Sequence, residues 1–416
     1  MRPDDPRRKR ITSVLAAVAV VAAATVSGCA SAPKRNPLPS EFYETASIPG
    51  IQYARYFADE PPPWEHAWLA QSREKLEAKF SAAFGKPHSY LAISGGGAKG
   101  AFGAGLLAGW SARGDRPEFQ MVTGISTGAL TAPWAYLGSD HDHVLEEIFT
   151  TYSTKDLLKK RSKLSLVTND AMMSTERMAA LLARYIDEDV LEAIAAEGRR
   201  GRSLIIATTN IDAQRPVLWR IHTIAMSGQP GALELIRQII LASASIPAAF
   251  PPVAIEVEAN GQRFDELHVD GGTSSQVILY PPDLDWSRVL EKLEVPSPPD
   301  VYIIRNARLD ADGAAVNRRI FPIAGRSINS LIRTQGVGDL FRIYTLTKRD
   351  GLNFNLAYIP EDFDEKPKEQ FDPAWMRRLF DRGYEMGKAG YPWSKVPLDS
   401  YEQGPAPAET PQREVQ

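Results

Sequence analysis

Between Tyr90 and Leu130, two apolar runs each end in a turn that only very small residues can make, and each turn opens a helical pattern. The first run, Tyr90-Leu91-Ala92-Ile93, leads into Ser94-Gly95-Gly96-Gly97-Ala98-Lys99-Gly100. Three successive glycines let the backbone enter φ > 0 and bring N–H groups up to a ligand, and the helix that follows adds the positive end of its dipole. Such a loop suits an anion. The second run, Phe119 to Val122, leads into Gly124-Ile125-Ser126-Thr127-Gly128, a G-x-S-x-G pentapeptide. A strand-to-helix turn that sharp holds the Ser126 hydroxyl clear of the backbone, and Gly124 and Gly128 leave room for it. Together the turns offer an oxyanion loop, Gly95 to Gly100 with Ala98 and Lys99 inside it, and a nucleophile, Ser126.

Gly95-x-Gly97-x-x-Gly100 also fits a dinucleotide fingerprint. That reading needs an acidic residue at the end of the next strand, where the sequence has Val122-Thr123-Gly124. A phosphate-binding P-loop fails because Lys99 is followed by glycine and stands one residue short of the pattern. A lone G-x-S-x-G is weak evidence, but the ordered pair, each at a strand-to-helix junction, points to acyl chemistry.

With 416 residues and a formal net charge of −3, the chain has room for a sizeable core and no broad basic field, which argues against nucleic acid as a partner. Residues 1–28 read as a bacterial lipoprotein signal peptide. Arg7-Arg8-Lys9-Arg10 forms a basic start, Ile11 to Val26 an apolar, alanine-rich stretch that is short for a membrane span, and Val26-Ser27-Gly28-Cys29 resembles a lipobox with Cys29 as the lipidated residue. An uncleaved anchor and a simple secretory leader are the other readings. Cys29 is the only cysteine, so no intramolecular disulfide is possible. Ala30 resembles an outer-membrane sorting pattern, giving a lipid-anchored envelope protein facing the periplasm as the expected localisation. Residues 29–63, with prolines at 33, 37, 39, 49 and 61–63, read as a tether. From Trp64 to Phe84 the spacing predicts one helix within a 64–87 segment; its Trp64, Trp68, Leu76, Phe80, Phe84 stripe faces either the core or lipid.

After the serine turn, helices are expected at His141–Tyr152, Thr175–Glu197 and Leu233–Ser243, and strands at Arg202–Thr209, Pro216–His222 and Gln262–Val269. The segment Ser153–Ser174 reads as a mobile connection that could cap the site. Farther on, Val301–Arg305 and Leu352–Ile359 read as strands and Arg326–Lys348 and Pro373–Lys388 as helices. The 286–402 region is therefore expected to pack on the catalytic layer as an extension, followed by a disordered tail at 403–416. Asp270-Gly271-Gly272 closes the last strand before this region. A carboxylate there can act as general base toward a serine, although an ordinary Asp-Gly turn is the commoner fate of the dipeptide.

These stretches, namely G-G-G-x-K/R-G, G-x-S-x-G, Ala-Ser-x-x-x-Pro-x-x-Phe-Pro-Pro and D-G-G in that order, resemble the patatin-like phospholipases over roughly residues 88–285. The resemblance implies an α/β three-layer sandwich with a central, mostly parallel sheet flanked by helices. It implies Ser126 as nucleophile, Asp270 as its only side-chain base, the Gly96 and Gly97 amides as oxyanion donors and no cofactor. His268, two residues before Asp270, is the one candidate for a conventional triad, and a structural role is expected for it. No metal site is expected, since His141-x-His143 with Asp142 lacks a ligand set. The function so implied is hydrolysis of phospholipid or lysophospholipid esters at a membrane. Transacylation with the same dyad, or a vestigial lipid- or protein-binding lipoprotein, are the alternatives.

Overall fold

Along Tyr90 to Ile93 successive side chains enter two different cores: Leu91 and Ile93 pack into one, Tyr90 and Ala92 into the other. A strand buried on both faces belongs inside a sheet covered by helices on both sides. The same alternation recurs in Leu204 and Ile206 against Ile205 and Ala207. The computed structural model describes residues 35–160, 171–311, 313 and 315–398. In chain order it runs β1 (Arg55–Phe57), α1 (Glu65–Leu69), α2 (Arg73–Lys79), β2 (Ser89–Ile93), α3 (Gly100–Arg113), β3 (Met121–Ile125), α4 (Thr127–Leu137), α5 (Asp142–Thr151) and α6 (Thr154–Leu157). There follow β4 (Lys159–Lys160), β5 (Met173–Ser174), α7 (Glu176–Tyr185), α8 (Glu188–Arg199), β6 (Ser203–Asn210), β7 (Arg215–Arg220), α9 (Ile221–Met226), α10 (Ala232–Ser243), β8 (Val253–Ala259) and β9 (Gln262–Asp270). The chain then continues through α11 (Trp286–Lys292), β10 (Asp300–Arg305), α12 (Ile320–Arg349), β11 (Asn353–Tyr358) and α13 (Pro373–Ala389).

The main sheet has the order β1-β7-β6-β3-β2-β10-β11, with the β8–β9 hairpin attached through β9 to β6. From β6 to β11 all neighbours are parallel; β7 and β9 pair antiparallel with β6, and β1 pairs antiparallel with β7. One face carries α3, α4, α10 and α13; the other is covered by Val277 to Tyr280 and by Leu340, Ile343 and Leu346 of α12. This is an α/β sandwich with a central, mostly parallel sheet. The region after 285 enters it directly, since β10 lies between β2 and β11.

α3 is a helix despite its glycines because tertiary contact replaces the propensity they lack. A Cβ at Gly105 or Gly109 would strike the backbone carbonyls of Phe380 and Tyr384 on α13. A Cβ at Gly383 or Gly387 would strike those of Phe102 and Leu106 on α3. The two helices thus touch backbone to backbone.

Three sequence expectations change. The single helix at 64–84 is two short ones, α1 and α2. The break brings Trp68 edge-on to Phe80 with ring centroids 5.8 Å apart; in a straight helix these residues would stand about 18 Å apart along the axis. The aromatic stripe therefore folds onto itself and the body, where Trp64 meets Tyr56. The helix at 175–197 is likewise two, because Asp187 caps α8 by accepting from Val190 N–H at 3.0 Å. The tether reading of 29–63 does not hold for its described part. Leu38, Ile48, Ile51 and Phe57 are buried, β1 joins the sheet, and Arg35 bridges Asp212 and Asp265. Prolines there set extended backbone, and the apolar residues between them strap it down. The 1–28 segment, Cys29 and the 403–416 tail lie outside the described residues.

Candidate active site

Register brings the two candidate groups together. β7 occupies one edge of β6 from Ile205 to Asn210. On the other edge β3 pairs as far as Ile125 opposite Ala207, and β9 takes over with Asp270 opposite Thr208. Ser126 leaves the end of β3 at the point where Asp270 ends β9. Its Oγ donates to Asp270 Oδ2 at 2.7 Å. Both residues are nearly enclosed, at 7% and 5% exposure.

Ser126 has φ 55° and ψ −121°, a conformation that ordinary side chains avoid and that marks a sharp elbow. A Cβ at Gly124 would strike Gly128 O, and one at Gly128 would strike Ile93 O, so neither position admits a larger residue. The strained serine is held from behind: its N–H donates to Ser243 Oγ at 2.9 Å, and Ser243 Oγ donates to Ala207 O at 2.7 Å. Two residues on, Ser245 O accepts from Asp270 N–H at 2.9 Å. The end of α10 therefore clamps both members of the pair. Ser243 is the serine of the Ala-Ser-x-x-x-Pro stretch; the motif carried the signal, but no spacing argument gave it this task.

Asp270 Oδ1 accepts from Gly272 N–H at 2.7 Å, and a Cβ at Gly271 would lie 2.5 Å from Ala207 O. Burial drives the Asp270 carboxyl up from 3.8 to about 6, against the opposing hydrogen bonds from Ser126 and Gly272. At neutral pH it is an anion close to its own pKa, which suits a general base.

The glycine loop passes beside this pair. A Cβ at Gly95 would stand 3.2 Å from Ser126 Cβ, and one at Gly96 only 2.5 Å from Asn306 O. Gly97 has φ 58°, and Gly97 and Ala98 line the cavity on which Ser126 opens. Gly95 N–H is taken by Gln276 O at 3.1 Å and Lys99 N–H by Gly96 O at 3.2 Å. Among the described residues nothing accepts from the N–H of Gly96 or Gly97. Lys99 is exposed at the end of a short 3-10 turn, and Gly100 starts α3 in contact with Thr127. Asn306, which the sequence did not mark, fixes the loop: its Nδ2 donates to Ser94 O at 3.0 Å, and its Oδ1 accepts from Gly103 N–H at 3.1 Å.

The cavity, about 100 Å³, is lined almost wholly by apolar side chains, among them Leu130, Trp134, Phe149, Leu182 and Phe250. Leu157, from the segment read as a connection, lines it too; the middle of that segment, 161–170, lies outside the described residues. His268 is elsewhere in the hydrogen-bond network. It is fully buried, with Nδ1 at 2.9 Å from Thr208 Oγ1 and Nε2 at 3.2 Å from Glu266, whose carboxylate also holds Arg55. Burial pushes its imidazole below the usual range while Glu266 opposes that. His141 stacks on Trp134, and His143 Nδ1 lies 3.0 Å from Asp140 O. Among the described residues no group of three or more His, Cys, Asp or Glu is placed to hold a metal ion.

An α/β sandwich with a serine elbow, a neighbouring carboxylate and a glycine loop defines a class of acyl-transferring proteins. Residues 91–282 match the family model for patatin-like phospholipase, and this stretch of the chain is a patatin-like phospholipase domain. No curated protein matches the chain. Among solved structures it is similar to VipD from Legionella pneumophila, with 13% identity, a TM-score of 0.32, and coverage of 73% of this chain and 66% of that one. The chain thus spans just under two thirds of that relative's length.

Proposed function

We propose that the protein is a lipid acyl hydrolase in which Ser126 is the nucleophile and Asp270 the general base. The observation that carries the reading is the 2.7 Å hydrogen bond from Ser126 Oγ to Asp270 Oδ2 at the mouth of an apolar cavity. Asp270 takes the hydroxyl proton as Ser126 Oγ attacks the ester carbonyl carbon. The carbonyl oxygen, now anionic, is met by the N–H groups of Gly96 and Gly97 and by the N-terminal ends of α3 and α4. Collapse of the tetrahedral adduct expels the alcohol, which takes the proton from Asp270, and leaves an acyl-Ser126. Water then gives a proton to Asp270 as it attacks this ester, and the fatty acid leaves as Ser126 recovers its hydrogen. The cavity holds the acyl chain, because an apolar wall recognises little else.

Purified protein is expected to hydrolyse a short-chain acyl ester or a lysophospholipid and to be labelled by a fluorophosphonate probe, which requires an activated serine. Ser126→Ala loses both. Activity retained in Ser126→Ala would remove the proposal, and labelling absent in the wild type would favour a vestigial site.

The reading places the enzyme at a bacterial envelope membrane through lipidated Cys29, facing the periplasm, with membrane lipid as its substrate. Its support is the lipobox-like Val26-Ser27-Gly28-Cys29. Cys29→Ser is expected to release the protein from the membrane fraction, since lipid attachment is what would hold it there. Unchanged partitioning would point to a different anchor.

A further inference from the structure

α12 changes character halfway along. Its C-terminal half buries Leu340, Ile343 and Leu346 against the sheet. Its N-terminal half exposes Ile320 at 82%, Ile323 at 50%, Ile328 at 55% and Leu331 at 70%. Isolated exposed apolar residues need no explanation, but four in three turns of one helix do. At about 100° per residue, Ile320, Ile323, Ile328, Leu331 and Ile332 fall within about half of the helix circumference. Arg326 and Arg333, seven residues apart, fall together on the opposite side. From Gly313 to Gly338 the chain holds four arginines, at 318, 319, 326 and 333, and no acidic residue, although its formal net charge is −3.

We propose that the exposed half of α12 is a docking surface for an anionic phospholipid bilayer, lying in the headgroup layer with its isoleucines and Leu331 toward the acyl chains. A helix with one apolar and one cationic side takes that orientation. Charge decides the occupant. A second copy of this chain docking here would bring two sets of four guanidinium groups together, whereas anionic headgroups attract them. Location agrees with the choice. Where the exposed half ends, Gln335 accepts from Gln276 Nε2 at 3.0 Å, and the same Nε2 donates to Gly272 O at 2.6 Å, beside Asp270. Ile246 also lines the cavity and is 38% exposed, three residues after Ser243 and one after Ser245, whose carbonyl accepts from Asp270 N–H. The exposed half of α12 and Ile246 are thus each tied to the Asp270 turn by hydrogen bonds of nearby residues, which sets a seated bilayer near the cavity that would receive its acyl chain. The inference rests on the lipid-hydrolase reading for its purpose but not for its measurement.

The experiment uses the full chain with Cys29→Ser, which leaves no thiol, and Ser126→Ala, which spares the vesicles. A single cysteine is introduced as Ile328→Cys or Asn329→Cys and labelled with an environment-sensitive fluorophore. Vesicles of phosphatidylcholine, with or without phosphatidylglycerol, carry acyl-chain-brominated lipid as quencher. The label at 328 is expected to shift to the blue and be quenched on the anionic vesicles, and the label at 329 to respond much less. In an otherwise native chain, Ile328→Glu with Leu331→Glu is expected to cut vesicle hydrolysis about tenfold or more while hydrolysis of a soluble short-chain ester stays within about twofold. An unquenched 328 label overturns the docking surface. So does an unquenched label together with a dimer that the double glutamate variant dissolves, which would assign the face to a second copy. A quenched 328 label, beside an unlabelled chain with Ser126 intact that hydrolyses neither substrate, would keep the docking surface and sink the hydrolase reading instead.

Discussion

Asp270→Asn separates the two things a buried carboxylate does, since it should abolish ester hydrolysis and also make the protein more stable. A carboxyl that ionises near 6 rather than at 3.8 costs the fold about 3 kcal/mol once it is charged, at 1.36 kcal/mol per pH unit. The sign follows from linkage. Between pH 4 and 6 the folded state binds the proton that the unfolded chain has already lost, so stability falls as pH rises through that window. Below 3.8 the cost is absent in both states, and above about 6 it is present in full. Asparagine has nearly the same shape, its carbonyl can accept from Gly272 N–H, and its amide can face Ser126 Oγ. It carries no charge to desolvate and cannot take the serine proton. Urea unfolding of wild type and Asp270→Asn across pH 4 to 8 should show the variant ahead by about 1–3 kcal/mol at pH 7, with the gap closing toward pH 4. In parallel, wild-type kcat/KM should rise with an apparent pKa near 6. A gap that does not change with pH, or a variant less stable than wild type at pH 7, would refute the claim that burial of this charge is what raises its pKa. An active Asp270→Asn would refute its role as base.

Ser126→Gly should gain about 1–3 kcal/mol because glycine tolerates φ 55° and ψ −121°, and Ser126→Ala should not, because alanine keeps the same strain; thermal melts of the two variants settle this. Gly96→Ala sets a Cβ 2.5 Å from Asn306 O, so the loop must shift. A loss of about 10²–10³ in kcat is expected with the fold intact by circular dichroism. His268→Gln should retain most activity per folded molecule while losing about 1–3 kcal/mol in denaturant unfolding, since it leaves Glu266 and Thr208 short of a partner. An inactive but folded His268→Gln beside an active Asp270→Asn would move the protein to a Ser-His mechanism.

The parts of the site that could be read from sequence were those in which backbone geometry restricts residue type. Only small residues survive at Gly124 and Gly128, where a Cβ would enter a carbonyl, so the serine elbow announced itself. Asn306, Gln276 and the detailed duty of Ser243 did not, because any polar residue can make one hydrogen bond and only the fold says to what. Long periodic elements such as α13 were legible almost to the residue. The breaks between α1 and α2 and between α7 and α8 were not, because no glycine or proline marks them: the first brings Trp68 onto Phe80, and the second rests on the Asp187 cap. The β8 strand was missed although its signal was present: Val253 to Ala259 alternates, and Asn260 and Gly261, at φ 50° and 71°, form the turn that an Asn-Gly pair favours.

The close backbone contact between α3 and α13, and the seat of β10 beside β2, also bear on how the chain is made. Synthesis proceeds from the N-terminus, and the glycine loop, α3 and the serine elbow emerge early. The strand that covers β2 follows about 200 residues later and the helix that covers α3 about 270 later, which at ~5–20 residues per second is ~10–60 s. Throughout that interval β2 is an open sheet edge, and the glycine face of α3 lacks the helix that closes on it. The nascent chain therefore holds its reactive centre unfinished until nearly the last of the folded residues has been added, and a chaperone that shields such an edge would have its longest occupancy here.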